Sequence, residues 1–151
     1  MTVRNPAEQD SLPDHLPRWL DAASRRLRSD LGAQDRSAFP GLRGSHQRIL
    51  QMIPPGGIRI TDLAVIAGMT KQSLGEFADG LEEAGFTRSQ RDEADRRVRL
   101  ILRTPLGDQA AEVATRAIAA VEAQWRAEVG PARYDVMKQV LRELGRDSFR
   151  T

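Results

Sequence analysis

Lys71, Gln72, Ser73 and Glu76 cluster at the start of one stretch, and Arg88, Arg91, Arg96 and Arg97 follow closely behind it. Gln can pair bidentately with adenine, Glu can accept from cytosine, and Ser can serve either, all on base edges. Lys and Arg meet phosphates by charge, which positions a nucleic acid without reading it. Thr70 stands where a helix N-cap would stand, and Gly75 would let another backbone come close. Asp95 is placed to hold one of the neighbouring arginines by an ion pair. Thr70, Lys71, Gln72, Ser73, Gly75, Glu76, Arg88, Arg91, Asp95, Arg96 and Arg97 are therefore the candidate DNA-contact set.

Elements must hold these side chains in place. Leu74, Phe77, Ala78 and Leu81 recur at i, i+3, i+4 and i+7, which predicts a helix from Thr70 to Ala84 with those residues inward and Gly85 as its stop. A shorter helix, from Thr61 to about Ala67, precedes it, capped by Thr61 and burying Leu63, Ala64 and Ile66. Gly68 permits a sharp turn, and Met69 fills the angle between the two helices. Pro54-Pro55-Gly56-Gly57 is a strong breaker, after which Ile58-Arg59-Ile60 alternates as a short strand. Arg97 to Arg103 alternates as the return strand of a hairpin. Helix, tight turn, helix and basic hairpin form a winged helix-turn-helix, whose second helix enters a major groove while the hairpin meets backbone or minor groove.

The flanks read as helices. Leu16, Trp19, Leu20, Ala23, Leu27 and Leu31 form one apolar stripe ending at Gly32, and Ser45 caps a helix carrying Ile49, Leu50, Met52 and Ile53. Thr104-Pro105 is an N-cap with proline at the first helical position. It opens a long helix with Leu106, Ala110, Val113, Ala117, Val121 and Trp125 on one face. Gly130-Pro131 breaks that helix before a last stripe of Tyr134, Met137, Leu141 and Leu144. A winged unit cannot cover stripes at both chain ends. Leu16, Leu20, Leu27, Trp125, Tyr134, Met137, Leu141 and Leu144 are accordingly expected in a homodimer interface. The fold class is mainly α with a small β-wing. A flexible arm (1–11) and dimerisation helices (12–44 and 105–151) flank a DNA-binding winged helix-turn-helix (45–104).

Composition narrows the chemistry. The 151 residues contain no cysteine, which excludes disulfides and thiolate–zinc sites. Two histidines cannot alone make a usual metal site, and neither metal nor cofactor is expected. No glycine-rich phosphate loop, HExxH or Ser/His/Asp arrangement is present, so an enzyme is not expected. No apolar run approaches the length of a membrane span and the N-terminus lacks an apolar core, so a cytoplasmic protein without membrane contact is expected. The formal net charge is only +2. Between Gly85 and Arg103 six arginines face three acids, a local surplus of +3, whereas charges from Thr104 onward cancel. The excess lies on the wing, where a nucleic-acid partner needs it.

Met69-Thr70-Lys71-Gln72-Ser73, Leu81-Glu82-Glu83-Ala84-Gly85, Asp92-x-x-Asp95-Arg96-Arg97 and Thr104-x-x-Gly107 resemble the MarR family of bacterial transcription regulators over roughly Leu12 to Leu144. The resemblance implies a homodimer built from the first and last two helices, double-stranded DNA with a pseudo-palindromic operator as partner, and often repression. It also implies release by a small aromatic or anionic effector held between the dimer helices and the DNA module, for which His15, Trp19, Arg43 and His46 are the candidates. The chain departs from the family pattern at Ser89, where Arg is usual, at Arg91 and Glu93, where Pro is usual, and at Arg103, where Leu is usual. A more flexible wing is the expected consequence. The competing reading is a winged helix used only for protein contact. The acidic outer face of Glu76, Asp79, Glu82 and Glu83 favours that reading, because carboxylates repel phosphate.

Overall fold

The computed structural model describes residues 13–34, 39 and 42–146, so the expected arm at 1–11 lies outside the described residues. The chain divides into two units, 1–33 and 34–151. The first contains helix α1 (Leu16–Ala33), with Pro17 in its opening turn as its fixed φ requires. None of its residues is buried, and Leu16, Trp19, Leu20 and Leu27 are all exposed.

The second unit holds α2 (Gly44–Met52), β1 (Ile58–Arg59), α3 (Ile60–Ala67), α4 (Lys71–Glu83), β2 (Thr87–Arg91), β3 (Arg99–Arg103), α5 (Pro105–Val129) and α6 (Pro131–Arg146). The strands form one antiparallel sheet in the order β1-β3-β2, with Ile58 opposite Ile101 and Ser89 opposite Ile101 on the other side. Mainly α with a small β-wing is the observed class. Its core is aliphatic: Ile49, Leu50, Ile53, Leu63, Leu74, Leu81 and Ile101 are buried, with Phe86 packed edge-on to Phe39. Each helix of the winged unit contributes one stripe to it, which is why the i, i+3, i+4 spacing was informative.

Several boundaries differ from expectation. Ile60 is the first residue of α3 rather than the end of a strand, and Arg59, not Thr61, occupies the cap position without a side-chain cap bond. Likewise α2 begins at Gly44 with Arg43 at its cap, so Ser45 is already inside the helix. The return strand starts at Arg99, because Val98 N–H bonds to Asp95 O and Asp92 N–H bonds to Val98 O, closing a turn that includes Arg96 and Arg97. Ile66 is exposed, while Ile60, Leu63, Ala64 and Ala67 carry the buried face of α3. Leu106 is also exposed, and the buried side of α5 is instead Gly107, Ala110, Ala111, Ala114 and Val121.

Gly107 explains the Thr-x-x-Gly motif. Thr104 caps α5 by accepting from Gly107 N–H at 3.1 Å, while its hydroxyl donates to Gly85 O at 2.6 Å and its own N–H donates to Phe86 O at 3.1 Å. A Cβ on Gly107 would land almost on the Phe86 carbonyl, 3.0 Å from its carbon and 3.3 Å from Arg103 Cβ. Only glycine lets α5 start this close to the end of α4. At the other end, α5 is fastened to α6 by Arg126–Asp135 (2.9 and 3.1 Å) and Lys138–Glu122 (2.7 and 2.9 Å).

Candidate nucleic-acid interface

The helix-turn-helix is set by local chemistry. Gly68 adopts the left-handed region (φ 64°), and Met69 N–H returns to Ala64 O at 3.0 Å, which ends α3 and redirects the chain. Met69 is half-buried against the core, as its place in the angle requires. Thr70 then caps α4, its Oγ1 accepting from Ser73 N–H at 3.1 Å and donating to Ser73 Oγ at 3.0 Å. Leu74, Ala78 and Leu81 are buried and Phe77 is half-buried. Phase alone then directs Lys71, Gln72, Ser73 and Glu76 outward, and all four are exposed. Gly75 lies among them with nothing within 4 Å of where its Cβ would be.

The wing brings the arginines together. Arg88 and Arg91 are exposed on β2, Arg88 Nη1 donating to Gln90 Oε1 at 3.1 Å, and Arg96 and Arg97 are exposed in the β2–β3 turn. Asp95 holds Arg97 through its backbone N–H (3.0 Å) more closely than through its guanidinium (3.9 Å), leaving the Arg97 side chain 96% exposed. The base of the turn is fixed by Asp92, whose Oδ1 accepts from Ala94 N–H at 2.8 Å and whose Oδ2 pairs with Arg59 at 3.3 Å. The Ala94 N–H and the Arg59 charge hold the Asp92 carboxyl below the usual range. These bonds brace the turn around Arg91 and Glu93, so the expected loosening of the wing is opposed by an ion pair to β1.

Arg99 is the residue that sequence reasoning passed over. Its guanidinium meets Asp79 Oδ1 at 2.8 Å, Glu82 Oε2 at 3.1 Å and Ser89 Oγ at 2.9 Å. Glu82 accepts in addition from Ser89 Oγ at 2.7 Å and Ser89 N–H at 2.9 Å. The Ser89 hydroxyl, then its N–H, and then Arg99 lower the Glu82 carboxyl from its ordinary value. Two of the four carboxylates of the acidic face thus share one arginine, which offsets one of their two charges. Arg103 is similarly engaged, pairing with Asp108 at 2.7 Å and donating to Leu50 O at 3.2 Å, which ties β3 to the end of α2. No local pattern announces the Arg99 pairings, since Arg99 lies 20 residues from Asp79 and 17 from Glu82.

The remaining candidates fall elsewhere. His15 Nδ1 accepts from Arg18 N–H at 3.2 Å, Trp19 Nε1 donates to Asp14, and the Arg18 guanidinium lies 4.6 Å from the Trp19 ring centroid. These contacts make His15 and Trp19 parts of the start of α1. Arg43 and His46 share the start of α2, where the His46 ring packs 5.0 Å from Phe77 of α4. Burial, with Arg43 nearby, lowers the His46 imidazole from its ordinary value. His46 Nδ1 and Gln47 Nε2 are buried without a hydrogen-bond partner among the described residues. Of the expected interface residues, Met137, Leu141 and Leu144 are exposed along α6 with Val136 and Val140, and Trp125 is half-buried on α5. Tyr134 departs from that set: its own chain buries it, with Glu122 of α5 beside it, so it serves the α5–α6 pairing. Among the described residues no helix is long and apolar enough to cross a membrane.

Residues 54–98, from the breaker before β1 to the wing turn, match the model of the MarR family. That stretch, which holds the helix-turn-helix and most of the wing, is similar to the MarR family. Solved structures extend the likeness to most of the chain. CouR from Rhodococcus jostii RHA1, bound to p-coumaroyl-CoA, superposes with a TM-score of 0.73 at 21% identity over 91% of this chain and 94% of that one. NadR in complex with 4-hydroxyphenylacetate gives 0.70 at 18% identity over 97% and 99%. Bordetella bronchiseptica BpsR, whose DNA binding is regulated by 6-hydroxynicotinic acid, gives 0.74 at 17% over 89% and 99%. No curated protein sequence matches the chain. These likenesses, all below 25% identity, extend a shared fold to most of the chain.

Proposed function

We propose that this chain is a sequence-specific DNA-binding regulator of transcription that acts as a homodimer, most simply as a repressor. The observation that carries the reading is the joint exposure of Lys71, Gln72, Ser73 and Glu76 on the first turns of α4 and of Arg88, Arg91, Arg96 and Arg97 on the wing. In this reading Gln72, Ser73 and Glu76 meet base edges in the major groove, with Gly75 admitting close approach, while Lys71 and the wing arginines meet phosphate or minor groove. Asp95 holds the turn that presents them. The protein-contact alternative loses much of its support, because Asp79 and Glu82 are paired with Arg99 rather than presented as bare charge.

The two-fold pairing is supported by the stripe of Val136, Met137, Val140, Leu141 and Leu144 on α6, which stays exposed in the single chain; Leu16, Leu20 and Leu27 of α1 are exposed as well. Burying such a stripe removes roughly 25 cal/mol per Å² of apolar surface from water. A small hydroxylated aromatic acid, like the 4-hydroxyphenylacetate in complex with NadR and the 6-hydroxynicotinic acid that regulates BpsR, is the effector class proposed here. Within the second unit Arg43 and His46 are the proposed contacts, and the unpartnered nitrogens of His46 and Gln47 are polar atoms a ligand could engage. The test is binding of the purified protein to DNA flanking its own gene with salt varied. Specific binding that falls steeply with salt supports the reading, because contacts to several phosphates release counterions. Weak, salt-insensitive binding overturns it.

A further inference from the structure

We propose that Glu82, Ser89 and Arg99 form a clamp that sets the angle of the wing on α4, which makes Arg99 a positioning residue rather than a phosphate contact. The inference rests on the reading of α4 and the wing as one DNA-contacting surface. Glu82 lies one residue before the end of α4, Ser89 in the middle of β2 and Arg99 at the start of β3, so the three residues join all three elements that surround the α4–wing corner. The carboxylate is engaged on both oxygens: Oε1 by Ser89 N–H, Oε2 by Ser89 Oγ and Arg99 Nη2. Arg99 is engaged on Nε by Ser89 Oγ and on Nη2 by both Glu82 and Asp79.

Geometry separates Arg99 from its neighbours. Its side chain is 26% exposed, against 96% for Arg97, and two of its three guanidinium nitrogens point at protein acceptors. A cation so held has few donors left for phosphate. Ser89 is the second half of the argument. A small hydroxyl can accept from Arg99 and donate to Glu82 at once, which the arginine usual in the family at this position cannot do. The hydroxyl that looked like a lost DNA contact therefore completes a fixed joint between helix and wing.

The test is the sign of one substitution. Glu82→Gln removes a negative charge from the surface that meets DNA, so plain electrostatics raises affinity. The clamp gives the reverse: Glu82→Gln and Arg99→Gln each lower operator affinity, by about tenfold, and the double variant is no weaker than either single one. Arg99→Lys, which keeps the charge but not the fork, behaves like Arg99→Gln. A phosphate-contacting Arg99 predicts instead that Glu82→Gln strengthens binding, that Arg99→Lys retains it, and that the two effects add. That outcome overturns the clamp. Hydrogen exchange of the Ser89 N–H, measured without DNA, keeps the proposal separable from the DNA reading. Wild-type protection lost in Glu82→Ala supports the joint even if no operator is bound. An amide that exchanges freely in the wild type refutes the joint even if DNA binding is strong.

Discussion

Gly107→Ala is the substitution whose outcome the structure fixes most tightly. In a helix interior the change is worth up to about 1 kcal/mol in favour of alanine, and less here because Gly107 lies in the first turn of α5. Against that stands a methyl group directed onto the Phe86 carbonyl, 3.0 Å from its carbon. Neither partner can easily yield. Phe86 O is bonded by Thr104 N–H, and Thr104 Oγ1 is fixed between Gly85 O and Gly107 N–H. Overpacking of this kind costs about 1–3 kcal/mol and sometimes more, so the net effect is a destabilisation of about 2 kcal/mol or above. For a chain of this length that is a drop of about 4–8 °C in Tm, read by calorimetry at fixed protein concentration, because Tm varies with concentration wherever chains associate. Gly75→Ala is the built-in control, because its Cβ meets nothing within 4 Å. It should raise Tm by about 2–4 °C while weakening operator binding, where the new methyl stands between helix and DNA. If Gly107→Ala leaves Tm unchanged or higher, the tight approach of α5 to Phe86 is wrong.

Leu141→Asp or Leu144→Asp should shift sedimentation from about twice 16.8 kDa toward monomer or aggregate; a wild-type monomer at micromolar concentration contradicts the pairing of these exposed stripes. Gln72→Ala and Glu76→Ala should change preference at particular operator positions by about 1–3 kcal/mol each. Arg96→Ala and Arg97→Ala should weaken all sequences alike and flatten the salt slope by about one unit per lost phosphate contact; the opposite pattern would reverse the roles given to helix and wing. The lowered His46 value gives a pH dependence of known sign: the unfolded chain takes up the proton first, so stability is full above 6.5 and falls as pH drops from there toward the folded value. His46→Gln should flatten that part of the melting-temperature profile, and an unchanged profile rules His46 out as its source. A panel of hydroxylated aromatic acids should lower operator affinity and raise Tm; no response in either measurement removes that effector class.

The parts of the fold that were legible are those set by near neighbours. Gly68, the Thr70 cap, the Gly85 stop and Thr104-Pro105 act within about four residues, and the apolar phase of α4 needs no distant partner to be read. What failed depended on contacts far along the chain or on a single residue of phase. Whether Ile60 closes a strand or opens a helix is decided by how far β1 can pair with β3, which stops at Arg59 opposite Leu100. Ile66 is apolar but points away from the core and stays 37% exposed, and hydrophobicity alone cannot report that. Tyr134 shares the spacing of the exposed α6 stripe, yet the ion pairs between α5 and α6 bring that turn against the longer helix.

Charge shows the same division most clearly. Counted along the sequence, the wing has six arginines against three acids, and the outer face of α4 carries four carboxylates. The two counts conflict, since one attracts phosphate and the other repels it. In the folded chain they partly cancel. Arg99 takes up Asp79 and Glu82, Arg103 takes up Asp108, and Asp92 takes up Arg59. The arginines that remain exposed are Arg88, Arg91, Arg96 and Arg97, the four at which hydrogen bonding to phosphate was anticipated, and the carboxylates that remain without a share in Arg99 are Glu76 and Glu83. Glu76 lies near the start of α4, where a carboxylate can accept from cytosine N4, and Glu83 lies at its far end, away from the turns expected to meet bases. Arg99 thus offsets one of the four negative charges on this face, and in the proposed reading Glu76 lies at the base-reading end and Glu83 at the far end. This distribution is compatible with a surface that attracts phosphate through the wing and discriminates through the helix.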